Sequence, residues 1–303
     1  MFEKIEGVKL EYTKLKSTLL LVLLVIIWGI TFPLEKIVMR DISPFSLNLS
    51  RFFIADMVVL FFFFPTIKRD FVKVWKAGSI LGVLMSLGYI FQTWGLAHTT
   101  PAKSGFITSL YVVFVPIVAF FLERVRLRLR MFFVLGLAAF GIYLSELSGK
   151  IFSPNFGDYL TIACAVAFAF QVVATTILTK KLENKHITLT FYQMLFVTLT
   201  NIPFYLFTSH KDRWTIENLS FIVAIAVFAS VMGTIIQMKH QKNVGTIPSA
   251  FIYAGEPVAA AFFSVIIVGE HFTFVQMVGF SAIIVSAILA QLNYSALKSK
   301  NKV

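Results

Sequence analysis

About ten apolar stretches, each long enough to cross a bilayer as a helix, follow one another along the chain with only short polar breaks. A membrane-spanning helix needs roughly 20 predominantly apolar residues. The stretches that we expect to span are 17–36, 45–64, 76–96, 102–122, 131–147, 158–179, 188–207, 218–238, 247–268 and 273–293. The connections leave no room for a separate domain, so the sequence predicts one all-α polytopic membrane body.

The composition supports this class and excludes others. The chain has 303 residues, of which 58% are hydrophobic and 14% are charged, whereas soluble domains are about 45–50% apolar and about 25% charged. Its only cysteine, Cys164, rules out an intrachain disulfide. The net charge of +12 sits in short connections between apolar stretches, a placement that indicates membrane topology and not a nucleic-acid partner.

The distribution of lysine and arginine predicts the orientation. With the N-terminus in the cytoplasm, 20 of the 27 lysines and arginines fall in cytoplasmic segments, six fall outside, and Arg51 lies within a span. Cytoplasmic connections of membrane proteins carry such an excess. We therefore expect a multi-pass protein of the plasma membrane, or of the bacterial inner membrane in a prokaryote, with both termini in the cytoplasm.

The two halves of the chain carry similar patterns. Trp28-Gly29 pairs with Phe168-Ala169, Arg51 with Gln193, and Gly88-x-x-x-Gln92 with Gly233-x-x-x-Gln237. Five spans per half would set the second half upside down, and inverted repeats around a midplane site are typical of secondary transporters. The expected units are a tail at 1–16, repeats at 17–147 and 158–293, an external linker at 148–157 and a basic tail at 294–303.

Four segments resemble the EamA-type members of the drug/metabolite transporter superfamily. They are IIWGITFPLEKI, SLNLSRFFIA, FQTWGLAHTTPAKSGFITSLYVVFVPIVAFF and SAFIYAGEPVAAAFFSVIIVGE. The resemblance covers about residues 17–293 as two EamA repeats and implies ten helices, passage of small metabolites, and a central cavity. Two features depart from the family pattern: Glu123-Arg124 stands where Gly-Glu normally follows the fourth helix, and Asp56 is unexpected.

Arg51, Asp56 and Glu256 are charged residues inside the expected spans, where each charge costs about 2.5–3.5 kcal/mol near the bilayer centre by insertion scales. Arg51 could bind a substrate carboxylate or phosphate, and Asp56 and Glu256 could exchange a proton during transport. Each could equally be structural and satisfied by other helices. Arg51 and Asp56 are five positions apart, about 140° around a helix, so we expect them to face different surroundings.

Amide, aromatic and proline residues complete the candidate site. Gln92 and Gln237 occupy matching places in the two halves and could bind a solute or bond across helices. An aromatic pocket could be lined by Trp28, Tyr89, Tyr111 and Tyr253, although packing explains any one of them as well. Pro116 and Pro257 are expected to break their helices, since proline lacks the N–H of the helical ladder.

Enzyme signatures are absent from the sequence: it contains no HExxH, Cys-x-x-Cys, GxGxxG or Walker A motif. We expect no metal and no cofactor. The sequence favours a secondary transporter of a small organic metabolite that works by alternating access. The EamA resemblance implies an amino acid, an amine or a related solute, and favours export as the direction. The partners would be the solute and the lipid bilayer, in a monomer or a homodimer. The alternatives are a non-transporting membrane subunit and an enzyme acting on lipid headgroups.

Overall fold

The computed structural model describes residues 2–125, 129–146, 155–207 and 212–300, without the side chains of 2–10, 102, 145, 146 and 291–300. Several expectations fall outside this part of the chain. They concern most of the predicted linker, the end of the basic tail, and the basic residues Arg126, Arg128, Lys150 and Lys211.

Helices make up nearly all of the described chain. They are α1 (Phe2–Val38), α2 (Pro44–Ala97), α3 (Pro101–Thr108), α4 (Tyr111–Leu122), α5 (Leu129–Glu146), α6 (Phe156–Lys181), α7 (His186–Phe207), α8 (Ile216–Ala224), a π-helical segment (Ile225–Met232), α9 (Gly233–Val244), α10 (Thr246–Tyr253), α11 (Glu256–Val268) and α12 (Phe274–Lys300). The described residues form no strand.

Seven helical stretches in the described chain are long and apolar enough to cross a membrane. Two shorter apolar helices, Leu129–Leu144 and Phe274–Ala290, accompany them. The described residues confirm the prediction of an all-α protein with several membrane-spanning helices. The number of ten spans stays a prediction.

Helix α2 contains two of the expected spans and folds back on itself. A straight helix would separate Phe45 from Trp94 by about 73 Å, yet their ring centroids lie 5.7 Å apart. The backbone leaves helical geometry at Phe63, two residues before Pro65, which cannot donate to the ladder. We expected residues 65–75 to form a connection between two spans. The chain remains helical there instead of forming a loop.

Each repeat contains one helix broken in two. The first break separates α3 from α4 at residues 109–110, and the second separates α10 from α11 at residues 254–255. The second break lies 145 positions after the first, and the second pair of helices begins 145 positions after the first pair. The breaks therefore match without a gap, although the prolines nearby do not.

The two prolines behave differently. Pro257 lies in the first turn of α11, directly after the break, where a missing N–H costs little. The expected break at Pro116 is wrong, because α4 continues through it. Its ring crowds the carbonyl of Val112, which lies in the first turn of α4, so the interruption falls earlier, at residues 109–110.

Reciprocal contacts join the two repeats. The ring of Phe168 packs on Gly88, where an added Cβ would lie 2.3 Å from Cε1, and the ring of Trp28 packs on Gly233, where a Cβ would lie 2.8 Å from Nε1. The sequence comparison of the halves had matched Trp28 with Phe168 and Gly88 with Gly233, so the two contacts are equivalent to each other. An aromatic residue of each repeat thus packs against a glycine of the other.

We expect Gly88→Ala and Gly233→Ala to destabilise the protein, because the new methyl group would displace a packed ring at a cost of about 1–3 kcal/mol. Gly136→Ala is the matched control, since nothing lies within 4 Å of a Cβ at that helical position. The measurement is the apparent Tm in detergent. Equal Tm values for all three variants would contradict the described packing.

Candidate functional site

A narrow cavity lies between the helices of the two repeats. Water-sized molecules have about 50 Å³ in which to place their centres, enough for roughly three to five waters at 10–15 Å³ each. The lining residues are Trp28, Thr31, Arg51, Met85, Tyr89, Gln92, Tyr111, Phe168, Gln171, Val172, Gln237, Tyr253 and Glu256. The structure thus brings together all eight residues that the sequence analysis had assigned to a solute pathway.

Both broken helices contribute to this cavity at equivalent positions. Tyr111 is the first residue of α4 and Glu256 is the first residue of α11, and both side chains line the cavity. Tyr253, the last residue of α10, lines it as well. The breaks therefore place helix ends, and not helix sides, beside the cavity, as in the discontinuous helices of membrane carriers.

Arg51 is held by an ion pair that the sequence analysis missed. Its Nη1 donates to Oε1 of Glu35 at 2.5 Å and its Nε donates to Oγ of Ser230 at 2.7 Å. The guanidinium carbon also lies 4.9 Å from the centre of the Tyr89 ring. Arg51 is 1% exposed and Glu35 is 3% exposed. The pair neutralises two charges that lipid alone could not accommodate. We call Glu35, Arg51 and Ser230 the ionic layer.

Buried amides form a second polar group, made of Gln171, Gln193, Gln237, Gln241 and Tyr253, which we call the amide layer. Gln171 donates to Gln193 Oε1 at 2.8 Å, and Gln237 donates to Gln241 Oε1 at 3.2 Å. The hydroxyl of Tyr253 donates to Gln241 Oε1 at 3.1 Å. These bonds join α6, α7, α9 and α10.

The two layers share one matched position in the repeats. Arg51 and Gln193 were paired by the sequence comparison of the halves. Arg51 bonds to Glu35 of α1, and Gln193 bonds to Gln171 of α6. An ionic contact in the first repeat therefore has an uncharged counterpart in the second.

The amide layer separates the cavity from a larger hollow, the basic hollow, of about 500 Å³. This hollow is lined by Tyr12, Thr13, Lys16, Ser17, Thr179, Leu182, Asn184, His186, Met238, Lys239, His240, Lys242 and Asn243. Along α6, Val172 lines the cavity and Thr179 lines the hollow. Thr176 lies between them and accepts a hydrogen bond from Gln241 at 2.7 Å. The layer is thus only one to two helical turns thick.

A second hollow lies at the other end of α1. Its volume is about 300 Å³, and it is lined by Lys36, Met39, Arg40, Asp41, Ile42, Ser43, Pro44, Ala97 and Asp212. Thr31 lines the cavity and Lys36 lines the hollow. Between these levels, Phe32 packs with Leu96 and Ala260 in a buried apolar cluster.

Asp56 does not line the cavity. One carboxylate oxygen accepts a hydrogen bond from the Thr198 hydroxyl of α7 at 2.6 Å, and the other has no hydrogen-bond partner among the described residues. The surrounding side chains, including Phe52 and Val59, belong to an apolar cluster. Arg51 and Asp56 therefore lie in different surroundings, with Asp56 between α2 and α7.

Glu35 and Gln171 were not proposed by the sequence analysis, although the sequence contains a feature that points to each of them. Glu35 falls in the first apolar stretch and is a charge within an expected span, which should find a polar partner. Gln171 is 140 positions after Thr31, the same displacement that relates Phe168 to Trp28. Met85, Phe168 and Val172 also line the cavity, and ordinary apolar side chains give no such signal.

The fold and cavity define a multi-span membrane protein with a polar interior enclosed between two repeats. The sequence profile of the EamA-like transporter family matches residues 15–147 and again residues 155–292. The chain belongs to this family and is a membrane transporter of the EamA type.

Related proteins agree with this assignment. A protein of Archaeoglobus fulgidus named as an uncharacterized transporter is 35% identical over 289 residues, which cover 95% of this chain and 88% of that protein. An uncharacterized transporter of Bacillus subtilis is 27% identical over 274 residues, covering 84% of this chain and 81% of the relative. One crystal structure shares the fold, with a TM-score of 0.72, 19% identity, and coverage of 91% of this chain and 98% of its own.

We expect Glu35→Ala to destabilise the protein by about 3–5 kcal/mol, because it leaves the buried guanidinium of Arg51 without its counter-charge. The double variant Glu35→Met with Arg51→Met should recover much of this loss, since no charge remains buried. The check is unfolding in detergent, with exposed Glu217→Ala as the control. A Glu35→Ala variant as stable as this control would contradict the ion pair.

Proposed function

We propose that this EamA-type transporter carries a small organic solute, such as an amino acid, an amine or a related metabolite, by alternating access. The observation that carries the proposal is one cavity that collects polar and aromatic side chains from both repeats. A thin layer separates this cavity from a larger hollow at either end. Opening one layer at a time would expose the cavity to one side of the membrane and then to the other.

The proposal includes two inverted repeats of five spans. Its support is the constant displacement of the helix breaks and the reciprocal contacts of Trp28 and Phe168 with glycines of the opposite repeat. In an inverted pair, the ionic layer and the amide layer would lie on opposite sides of the midplane and serve as equivalent gates. Ten spans follow if each arm of α2 crosses the membrane and the two shorter apolar helices, Leu129–Leu144 and Phe274–Ala290, cross it as well.

We further propose that the basic hollow faces the cytoplasm, together with both termini. The support is the excess of lysine and arginine in the connections on that side, to which Lys16, Lys239 and Lys242 of this hollow belong. Export is proposed as the direction because the EamA resemblance favours it. A solute would then enter through the amide layer and leave through the ionic layer.

The two alternative functions receive less support. A non-transporting subunit has no need of a polar cavity in its own interior, where unpaired polar groups cost stability. An enzyme for lipid headgroups needs reactive side chains gathered at an interface, and the relatives reported above are named as transporters.

Alternating access predicts that a reagent can reach a cavity residue from either side of the membrane. When one gate is locked shut, the reagent should reach it only from the opposite side. The test labels Gln92→Cys in a Cys164→Ser background with a membrane-impermeant thiol reagent, in vesicles of both orientations. Ser17→Cys and Asn243→Cys, whose native side chains meet at 3.0 Å, are then bridged by a short cross-linker with two thiol-reactive groups. The bridge should abolish labelling from the cytoplasmic side and leave labelling from the other side intact. Labelling from one side only, before any bridge is made, would contradict the proposed cycle.

Proton coupling through a buried carboxyl predicts that neutral variants lose pH-driven flux. In proteoliposomes with a pH gradient, Glu256→Gln or Asp56→Asn should lower the flux of a transported solute at least about tenfold, the effect of 1.4 kcal/mol. The exposed Glu217→Gln serves as the control. Unchanged pH-driven flux in both variants would remove these two carboxyls from the coupling mechanism.

A further inference from the structure

Glu256 is a buried carboxyl group whose charge, when it is ionised, no other group compensates. It is 8% exposed and lines the cavity. Within the described part of the chain, no donor forms a hydrogen bond or an ion pair with its carboxylate, and its electrostatic neighbours are Glu35 and Arg51. A buried carboxylate without a partner is costly in a medium of low polarity, so the site is incomplete as it stands.

The cations nearest to the cavity are already engaged. Arg51 forms its ion pair with Glu35 and donates to Ser230. Lys36 points away toward the end of α2, where its ammonium donates to the carbonyls of Leu96 at 3.0 Å and Thr99 at 2.7 Å. With Glu35 and Arg51 cancelling each other, ionised Glu256 leaves the cavity with one net negative charge.

Aromatic rings surround this charge. The cavity is lined by the rings of Trp28, Tyr89, Tyr111, Phe168 and Tyr253. The rings of Trp28 and Tyr253 lie 5.6 Å apart, centre to centre, as do those of Tyr89 and Phe168. The faces of aromatic rings attract cations, most strongly where water is excluded.

Two uncharged polar groups of the cavity are also unpaired among the described residues. The hydroxyl of Tyr111 is buried without a hydrogen-bond partner, and the amide of Gln92, 7% exposed, has none either. Both groups can accept hydrogen bonds from an ammonium N–H. An anionic solute would instead meet the uncompensated carboxylate of Glu256.

We propose that the cavity binds a small organic monocation, a protonated amine, with Glu256 as its counter-ion and the aromatic rings around its apolar part. The substrate class rests on the proposed function of this cavity as a transport site. A free volume of about 50 Å³ for water-sized centres favours a compact amine over a large one.

The experiment compares three probes of similar shape and different charge: benzylamine, which is protonated at neutral pH, benzyl alcohol and benzoate. Binding is followed by the fluorescence of Trp28 in a protein whose other tryptophans, Trp75, Trp94 and Trp214, are replaced by phenylalanine. We expect benzylammonium to bind tightest. Glu256→Gln should raise its Kd at least about tenfold, whereas the exposed Glu217→Gln should leave it unchanged.

The comparison of probes on the protein with Glu256 intact tests the proposal even if Glu256→Gln fails to fold. The proposal is overturned if benzoate or benzyl alcohol binds as tightly as the amine. It is also overturned if the folded glutamine variant binds the amine normally, or if the folded protein binds none of the probes.

Flux of the same probes into proteoliposomes separates this inference from the proposed function. Glu256-dependent binding of benzylammonium without any flux would leave the cation site standing and contradict transport. Flux of benzoate without binding of the amine would support transport and overturn the substrate class.

Discussion

The structure depends on one constraint: a polar group within the bilayer must find its partner inside the protein, because lipid offers none. Arg51 meets this constraint through Glu35 and Ser230, and the glutamines meet it through one another. These bonds draw helices of both repeats together at the level of the cavity. Glu256 lines the same cavity without such a partner among the described residues, and the proposed cation would supply one.

Duplication explains why the polar groups occur in two layers. A position that carries a polar contact in one repeat can carry one in the other, and each copy can then change separately. The first repeat holds an ion pair between α1 and α2, whereas the second holds an amide contact between α6 and α7. The charged contact requires more complete shielding from lipid, so the two layers need not open with equal ease.

Much of the fold could be predicted from the sequence, because apolar stretches of span length allow few alternatives. The match of Trp28 with Phe168 and of Gly88 with Gly233 indicated the duplication, and the contacts among these four residues emerged only from the structure. The position of the break near Pro116 could not be predicted, because a proline weakens the hydrogen bonding of a helix without determining the residue at which the helix is interrupted. The helical course of residues 65–75 was missed because charged residues there resembled a loop.

The sequence was sufficient to predict many of the residues that line the cavity, but not which side chains contact each other. Arg51, Glu256 and the aromatic residues stood out because polar or amphipathic groups in a span need a reason. Distances cannot be read from a sequence, so the pairing of Arg51 with Glu35 emerged only from the structure. The negative balance of the cavity when Glu256 is ionised follows from that pairing. Asp56 looked similar in sequence, yet it lies against Thr198 and apart from the cavity.

The central claim is that two inverted repeats enclose a polar cavity into which Glu256 points. An experimental structure in a lipid nanodisc tests it most directly, because the orientation of each repeat relative to the bilayer can be read from the density. The account predicts that residues 15–147 superpose on residues 155–292 by a twofold rotation in the membrane plane, with the helix break at 109–110 on that at 254–255. Repeats that stand in the same orientation, or a Glu256 side chain that faces lipid, would contradict it.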